Sequence, residues 1–465
     1  MGSRPATLGE LRAASYSVSS VKTELRRNLI ARLASGETLF PGIVGYDETV
    51  IPEIQNAILG GQDLILLGER GQAKSRILRA LTTLLDEYTP ILDGTEIPEN
   101  PESPITEAGK AIVMERGEDA PIRWLHRDER YGEKLATPDI TIADLIGEVD
   151  PIKVAEGRYL SDALTIHFGL VPRMNRGIFA INELPDLTER IQVGLLNVME
   201  ERDIQIRGHK VRLSLDVFLV ATANPEDYTN RGRIITPLKD RYGAQVRTHY
   251  PESVEQEIAI MEQEASRFDM AGRELHVPGY MREVIAEVTH LARQSPDINQ
   301  RSGVSVRTSI SNYESLLANA FRRALRLGES EVVPRISDLT FIAPSLRGKV
   351  EFEAMEEGQE DKILQRIVNA AVKTVYDRHV DTDKLETVAM AFNDGLSVET
   401  GESAPIDAYI ETLGRVDGLR EAVAGLAGET GPGQAAAAVE FILEGLHLHE
   451  LLNKHGVRGR AVFTG

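Results

Sequence analysis

The chain has 465 residues, a net charge of −20 at pH 7 and no cysteine. This length allows roughly two to four domains with a large buried core. The lack of cysteine excludes a disulfide framework, a thiolate nucleophile and any cysteine-based zinc site. Because an acidic chain repels phosphate backbones unless a local basic patch overrides the total charge, the composition disfavours a nucleic-acid partner and favours protein partners.

The apolar runs of the sequence are short. None approaches the about 20 residues that a helix needs to span a bilayer. The N-terminus lacks the charged and then apolar pattern of a signal peptide. The sequence therefore predicts a cytoplasmic protein with no membrane span.

The first half of the chain alternates helical patterns with short apolar runs. Residues 8–34 predict a helix, and residues 41–60 predict a loop and then an amphipathic helix. Three runs, at residues 63–67, 177–183 and 217–224, are apolar almost throughout. Such runs are typical of buried parallel strands.

The remaining segments of the chain show other patterns. Residues 86–140 are rich in Pro, Glu, Asp and Thr, and we interpret them as loop and insertion. The alternating pattern of residues 203–213, broken at Gly208, predicts a β-hairpin. From about residue 252 the pattern becomes helical, with a last helix predicted at 435–453. Strands that alternate with helices predict an α/β fold, a parallel sheet with helices on both faces.

A glycine-containing loop follows the first predicted strand. The pattern G-x-x-x-x-G-K-[ST] at a strand-to-helix turn binds nucleotide phosphates through backbone N–H groups. In that arrangement Lys74 reaches the β- and γ-phosphates of ATP, and Ser75 ligates Mg²⁺. The residues of the loop are Gly68, Glu69, Arg70, Gly71, Gln72, Ala73, Lys74 and Ser75.

One position of this loop departs from the pattern. Ala73 stands where the second glycine belongs, and a positive φ there would be strained. The alternative interpretation is a surface turn that carries Lys-Ser by chance. The strand predicted before the loop and the helix predicted after it favour the phosphate-binding interpretation.

The second apolar strand ends in Asn182 and Glu183. A buried strand that ends in Asp-Glu is the second motif of nucleotide hydrolases, in which the Asp holds the Mg²⁺ shell and the Glu polarises the attacking water. Asn182 keeps an oxygen ligand for Mg²⁺ but lacks the negative charge. Glu183 is the candidate general base, and an ordinary exposed glutamate is the alternative.

Two further polar residues follow in order. Asn224 ends the third apolar strand and could position the attacking water, although Asn-Pro is also a common turn. Arg241 follows it at the distance expected of an arginine finger, which stabilises transition-state charge in a neighbouring subunit's site. A local surface pair with Asp240 is the alternative for Arg241. The order of these four motifs is more specific than any one of them.

These residues resemble AAA+ proteins of the MoxR and magnesium-chelatase ATPase-subunit type, over roughly residues 38–345. Their order and local sequence carry the resemblance. The matching segments are Phe40–Tyr46, Pro172–Leu184, Leu195–Arg202, Ala221–Pro225, Leu238–Tyr242 and Val304–Arg307. The resemblance implies a P-loop core with a pre-sensor hairpin and a helical lid. It also implies that Arg241 is the finger and that Arg307 contacts the γ-phosphate from the same subunit.

The resemblance further implies ATP and Mg²⁺ as ligands, and assembly into a ring, usually a hexamer. MoxR-type members act on partners that carry a von Willebrand factor A domain, and chelatase members drive Mg²⁺ insertion into a porphyrin through such a partner. No D-x-S-x-S metal motif of that domain occurs in this sequence, so the partner would be a separate chain.

The sequence therefore predicts a ring ATPase that remodels a protein partner. Three alternatives stay open: the ATPase subunit of a metal-insertion complex, a nucleotide-gated scaffold with little hydrolysis, and an activator of an alternative-sigma polymerase. The last is disfavoured because the sequence has no G-A-F-T-G-A loop. The predicted domains are an N-terminal helical segment (1–37), an αβα nucleotide-binding domain (38–250), a helical lid (251–345) and a helical C-terminal extension of unknown role (346–465).

Overall fold

The structure is a computed structural model in which the chain forms two compact units, Met1–His249 and Tyr250–Gly465. The described residues are 4–149, 166–200, 204–206, 209–211, 213–224, 232–300, 302–353, 358–428, 431–457 and 460–465. Division of the chain at residues 37/38 and 345/346 stays a prediction.

The first unit is built of helices and short strands. Its described strands are β1 (Leu64–Leu67), β2 (Tyr88–Leu92), β3 (Ile122–His126), β4 (Tyr131–Leu135), β5 (Gly147–Val149), β6 (Ile166–Phe168), β7 (Gly177–Asn182), β8 (Ile204–Ile206), β9 (His209–Val211), β10 (Val217–Ala223) and β11 (Ala244–Arg247). Its described α-helices are α1 (Leu8–Ala13), α2 (Val21–Ser35), α3 (Val50–Leu59), α4 (Lys74–Ala80), α5 (Glu107–Arg116), α6 (Ile142–Leu145), α7 (Leu170–Arg173), α8 (Glu189–Glu200) and α9 (Thr236–Arg241).

Five of these strands form one sheet in the order β11-β1-β10-β7-β4, and every neighbouring pair is parallel. Side chains along β10 alternate between two hydrophobic clusters. Leu219 and Ala221 lie in one cluster, and Phe218 and Val220 lie in the other. Because successive side chains of a strand point to opposite faces, both faces of the sheet are buried. This explains why the runs are apolar throughout, and it confirms the predicted α/β fold.

The predicted hairpin is present, since β8 and β9 pair antiparallel. Gly208, where the alternating pattern breaks, lies outside the described residues.

The interpretation of residues 86–140 as loop and insertion was wrong. This segment contains β2 and β3, which pair antiparallel, and helix α5. It also contains β4, which pairs parallel with β7 at the edge of the central sheet. The sequence of β4, Tyr-Gly-Glu-Lys-Leu, is too polar to resemble the apolar central strands of that sheet.

The single helix predicted at residues 8–34 is two helices. Ser15 has φ +53 directly after α1, a conformation that a helix does not contain. The second helix, α2, starts anew at Ser20, whose side chain accepts a hydrogen bond from the N–H of Thr23.

The second unit is mostly helical. Its described α-helices are α10 (Val254–Glu264), α11 (Gly279–Gln294), α12 (Arg307–Leu327), α13 (Ala343–Arg347), α14 (Glu360–His379), α15 (Glu386–Asn393), α16 (Ile406–Arg415), α17 (Leu419–Ala427) and α18 (Pro432–Leu448). Its described strands are β12 (Glu274–Leu275), β13 (Glu331–Val332), β14 (Val398–Gly401), β15 (Asn453–Val457) and β16 (Arg460–Thr464).

The extension is mostly helical, as predicted, but it also contains a small sheet that the sequence did not predict. Strands β14, β16 and β15 pair antiparallel in that order. The last helix ends at Leu448 rather than at residue 453, and β15 begins at Asn453. Within the described part of the chain, the helices are too short or too polar to cross a bilayer.

Candidate nucleotide site

Polar residues of the predicted motifs lie at one edge of the central sheet. Gly68 follows β1, Asn182 ends β7 and Asn224 follows β10. These three strands are neighbours and run parallel, so their carboxyl ends share this edge. Ligands of open α/β sheets bind beyond the carboxyl ends of the strands. The fold therefore brings the first three motifs together.

The loop after β1 packs closely against β11. A Cβ atom on Gly68 would lie 1.9 Å from Oγ1 of Thr248 and 2.2 Å from Oε1 of Gln72, so a larger residue would force both side chains to move. The Thr248 hydroxyl donates to Gln72 Oε1 at 2.6 Å, and Gln72 is buried. Tyr46 adds a hydrogen bond from its hydroxyl to the carbonyl oxygen of Gln72 at 3.1 Å. Gln72 thus holds the loop in place through hydrogen bonds to Thr248 and Tyr46. Arg70, in the same loop, is exposed.

Lys74 is the first residue of α4 and connects the loop to the neighbouring strand. Its Nζ donates to the carbonyl oxygens of Gly68 and Glu69 and, at 2.7 Å, to Oδ1 of Asn224. The ammonium and the Asn224 amide therefore lie side by side at the N-terminus of α4, where the helix dipole favours an anion.

The departure at Ala73 has a structural cost. Ala73 has φ +55 and ψ +11, the left-handed conformation, and Gly71 in the same loop has φ +78. A non-glycine residue in that conformation costs about 1–2 kcal/mol. The loop keeps the backbone path that glycine favours, so Ala73 is strained as the sequence predicted.

Replacing Ala73 with Gly should stabilise the protein. The change removes about 1–2 kcal/mol of backbone strain but adds an entropic cost of folding of about 0.5–1 kcal/mol, so we expect a net gain of up to about 1.5 kcal/mol. Chemical denaturation of the full chain, followed through the unfolding transition of the first unit, measures this change in the free energy of unfolding. The control is Ala31→Gly in the exposed interior of α2, which should instead lower stability by about 1 kcal/mol. Equal losses in both variants would contradict the strain at Ala73.

The second motif is joined to the loop and to β10 by hydroxyl groups. Ser75 Oγ donates to Asn182 Oδ1 at 3.3 Å, and Thr222 Oγ1 donates to the same oxygen at 3.2 Å. The backbone N–H of Glu183 donates to Thr222 Oγ1 at 3.1 Å. Glu183 has φ +57 and ψ +48. Its backbone is therefore held in a left-handed conformation that a non-glycine residue adopts at a cost, as residues at functional sites often do.

The sequence analysis missed Glu133, which lies on β4. Its Oε1 accepts a hydrogen bond from Nδ2 of Asn182 at 2.6 Å. Arg79 donates to both oxygens of Glu133, at 2.7 and 2.8 Å, and this pairing holds the pKa of Glu133 below its ordinary value. The segment Tyr131–Leu135 shows neither an apolar run nor an apolar/polar alternation, so no sequence pattern marked Glu133.

The oxygen atoms around Asn182 suit Mg²⁺. They are the Ser75 hydroxyl and the Asn182 amide oxygen, and the Glu133 carboxylate lies on the nitrogen side of the same amide. Mg²⁺ prefers hard oxygen ligands and is commonly held by one or two protein groups together with phosphate oxygens. The residues present therefore fit a Mg²⁺ ion that enters with a nucleotide.

The two predicted arginines lie on helices. Arg241 ends α9, and its guanidinium lies 3.2 Å from the carboxylate of Asp240. This contact is the local pair that the sequence analysis named as the alternative. Arg307 is the first residue of α12 in the second unit and is exposed. Pro225, beside Asn224, lies outside the described residues.

Known proteins resemble this chain over about half of its length. Residues 154–238 match the family model described as the Sigma-54 interaction domain. The chain is 26% identical over 262 residues to the uncharacterized protein YeaC of Bacillus subtilis (strain 168), covering 52% of this chain and 76% of YeaC. It is 27% identical over 285 residues to the chloroplastic magnesium-chelatase subunit ChlI of Nicotiana tabacum, covering 55% and 59%. It is 29% identical over 254 residues to ChlI of Chlorella vulgaris, covering 50% and 63%.

The fold, the ordered motifs and these relatives define a P-loop ATPase of the AAA+ class. Within that class, its relatives include YeaC and the ChlI subunits of magnesium chelatase. The alignments span about three fifths of the length of the ChlI relatives. The resemblance inferred from the sequence is thereby confirmed.

Proposed function

We propose that this AAA+ protein is a Mg²⁺- and ATP-dependent ring ATPase that remodels or activates a protein partner carrying a von Willebrand factor A domain. The observation that carries the proposal is a hydrogen bond at one edge of the sheet. Lys74 Nζ donates it to Asn224 Oδ1 over 2.7 Å. This contact joins the phosphate-binding loop to the strand that would sense the γ-phosphate.

Each residue at the edge has a proposed task. Lys74 and the N–H groups of residues 68–75 bind the phosphates, and Asn224 orients the attacking water. Glu183 accepts a proton from that water. Ser75 and Asn182 hold Mg²⁺, which, when bound, neutralises charge on the phosphate oxygens.

The resemblance and the position of Arg241 support the proposed ring and the proposed partner. An arginine at the end of α9 can complete the site of a neighbouring copy only if copies meet in a ring. A hexamer, a separate partner chain and a γ-phosphate contact from Arg307 are parts of this proposal. So is a cytoplasmic location.

A second candidate is the ATPase subunit of a metal-insertion complex of the magnesium-chelatase type. It is supported by the relatives, two of which are named as ChlI subunits of that enzyme. A third candidate is a nucleotide-gated scaffold, which Asn182 supports because it removes the charge of the usual aspartate from the Mg²⁺ shell.

Phosphate release from the purified chain, with and without a von Willebrand A domain protein, tests the leading candidate. We expect Mg²⁺-dependent release that rises with the partner, and Lys74→Ala as the control should abolish it. Light scattering with and without ATP measures ring assembly. If the ring assembles but releases no phosphate in the presence of the partner, the result would favour the scaffold candidate. Mg²⁺ insertion into a porphyrin, followed by fluorescence, would favour the chelatase candidate.

A further inference from the structure

The site contains a carboxylate beside Asn182 that none of the sequence motifs includes. We propose that Glu133 supplies to the Mg²⁺ site the negative charge that Asn182 lacks, acting through the Asn182 amide as a positioning residue. This inference rests on the proposed function of the same site, since it assumes that Mg²⁺ binds there with a nucleotide.

Hydrogen bonds fix the orientation of the Asn182 amide. Its nitrogen donates to Glu133 Oε1 at 2.6 Å, so its oxygen faces Ser75, whose hydroxyl lies 3.3 Å away. A flipped amide would place its oxygen against the Glu133 carboxylate, where both groups are acceptors only. Glu133 therefore determines that Asn182 presents oxygen, the atom that can ligate Mg²⁺, to the Ser75 side.

The same contact transmits charge. A hydrogen bond from an amide N–H to a carboxylate is charge-assisted, and it polarises the amide so that its oxygen becomes more negative. Glu133 and Asn182 together thus approximate the aspartate that this position usually holds. The charge sits one amide group further from Ser75 than an aspartate carboxylate would.

Arg79 sets the position of Glu133 without cancelling its effect. Arg79 lies on α4, the helix that begins with Lys74 and Ser75, and donates to both Glu133 oxygens. The Arg79 side chain is 64% exposed, whereas that of Glu133 is 22% exposed. Since an exposed cation is well screened by water, the carboxylate dominates the field at Asn182. The pair ties β4 to the helix of the phosphate loop.

The experiment measures how much Mg²⁺ is needed to support nucleotide binding. A fluorescent ADP analogue is titrated onto the full chain at increasing Mg²⁺ and, separately, in EDTA. Glu133→Gln should raise the half-saturating Mg²⁺ concentration by about tenfold or more, the usual effect of losing a group that supports a metal ligand. The affinity in EDTA should not change. Adding Asn182→Asp to Glu133→Gln should restore the Mg²⁺ requirement, because the charge returns to the ligand itself.

A purely structural role for Glu133 gives different results. In that case adding Asn182→Asp to Glu133→Gln would not restore the Mg²⁺ requirement. That result would overturn the proposal, as would an unchanged Mg²⁺ requirement in Glu133→Gln. Failure of the proposed function is measured separately on the wild-type chain, which would then bind no nucleotide with or without Mg²⁺ or would bind it without releasing phosphate.

Should Glu133→Gln fail to fold, Asn182→Asp alone keeps the proposal testable. It places two carboxylates side by side, so the variant should have a lower Tm than the wild type in EDTA. The rise in Tm on adding Mg²⁺ and ADP should be larger than in the wild type, because the cation relieves that repulsion. Equal rises in the two proteins would overturn the proposal.

Discussion

Replacing Glu183 with Gln is expected to slow ATP hydrolysis by about 10²–10⁴-fold while ATP still binds. Gln has the same shape as Glu, and the backbone N–H of residue 183 keeps its hydrogen bond to Thr222. Lys74 and the loop around it are unchanged. Only the group that accepts the proton of the attacking water is lost, so the variant should retain ATP and stabilise the assembled ring.

Single-turnover hydrolysis and equilibrium binding of ATP separate the two steps. The matched control is Glu189→Gln, an exposed glutamate at the start of α8 in the same unit, which should behave as the wild type. If Glu183→Gln left both hydrolysis and assembly unchanged, the assignment of Glu183 as the base would be wrong.

Replacing Arg241 with Ala is expected to slow hydrolysis by about 10³–10⁵-fold, the range measured for arginine fingers. Nucleotide binding should be preserved, since a finger acts on charge that develops in the transition state. Arg233→Ala, which removes an exposed cation just before α9, is the control and should retain activity. Loss of ATP binding in Arg241→Ala would argue against a finger that acts across subunits.

Mixing two inactive variants tests the direction in which Arg241 acts. A ring assembled from Glu183→Gln and Arg241→Ala subunits contains some interfaces where an intact Glu183 faces an intact Arg241 from the neighbour. Activity should return in such mixtures. If Arg241 served its own subunit, or only formed the surface pair with Asp240, the mixtures would stay inactive.

The central strands could be predicted from the sequence because both of their faces are buried. Strands β1, β7 and β10 are apolar at nearly every position, and this pattern needs no knowledge of the rest of the chain. Their order in the sheet also places the first three motifs at one edge. The sequence therefore predicted that the loop at residues 68–75, the second motif and Asn224 lie near one another, and the structure places them at that edge.

The edge of the sheet could not be predicted in the same way. Among the strands that the structure describes, β4 pairs only with β7, and none of its residues is fully buried. Its apolar signal is therefore weak, and Glu133 was overlooked with it. The small sheet of β14, β15 and β16 was missed for a related reason. Its strands are four or five residues long, and only tertiary contacts distinguish such segments from loops.

The two glycine positions of the phosphate loop differ in what they tolerate. At residue 68 an added methyl group would overlap the side chains of Thr248 and Gln72, which would both have to move. At residue 73 the methyl group is present, and the penalty is a moderate backbone strain. A search pattern that demands both glycines would pass over chains built like this one. A pattern that keeps the first glycine and the lysine, but accepts any small residue before the lysine, would recover them.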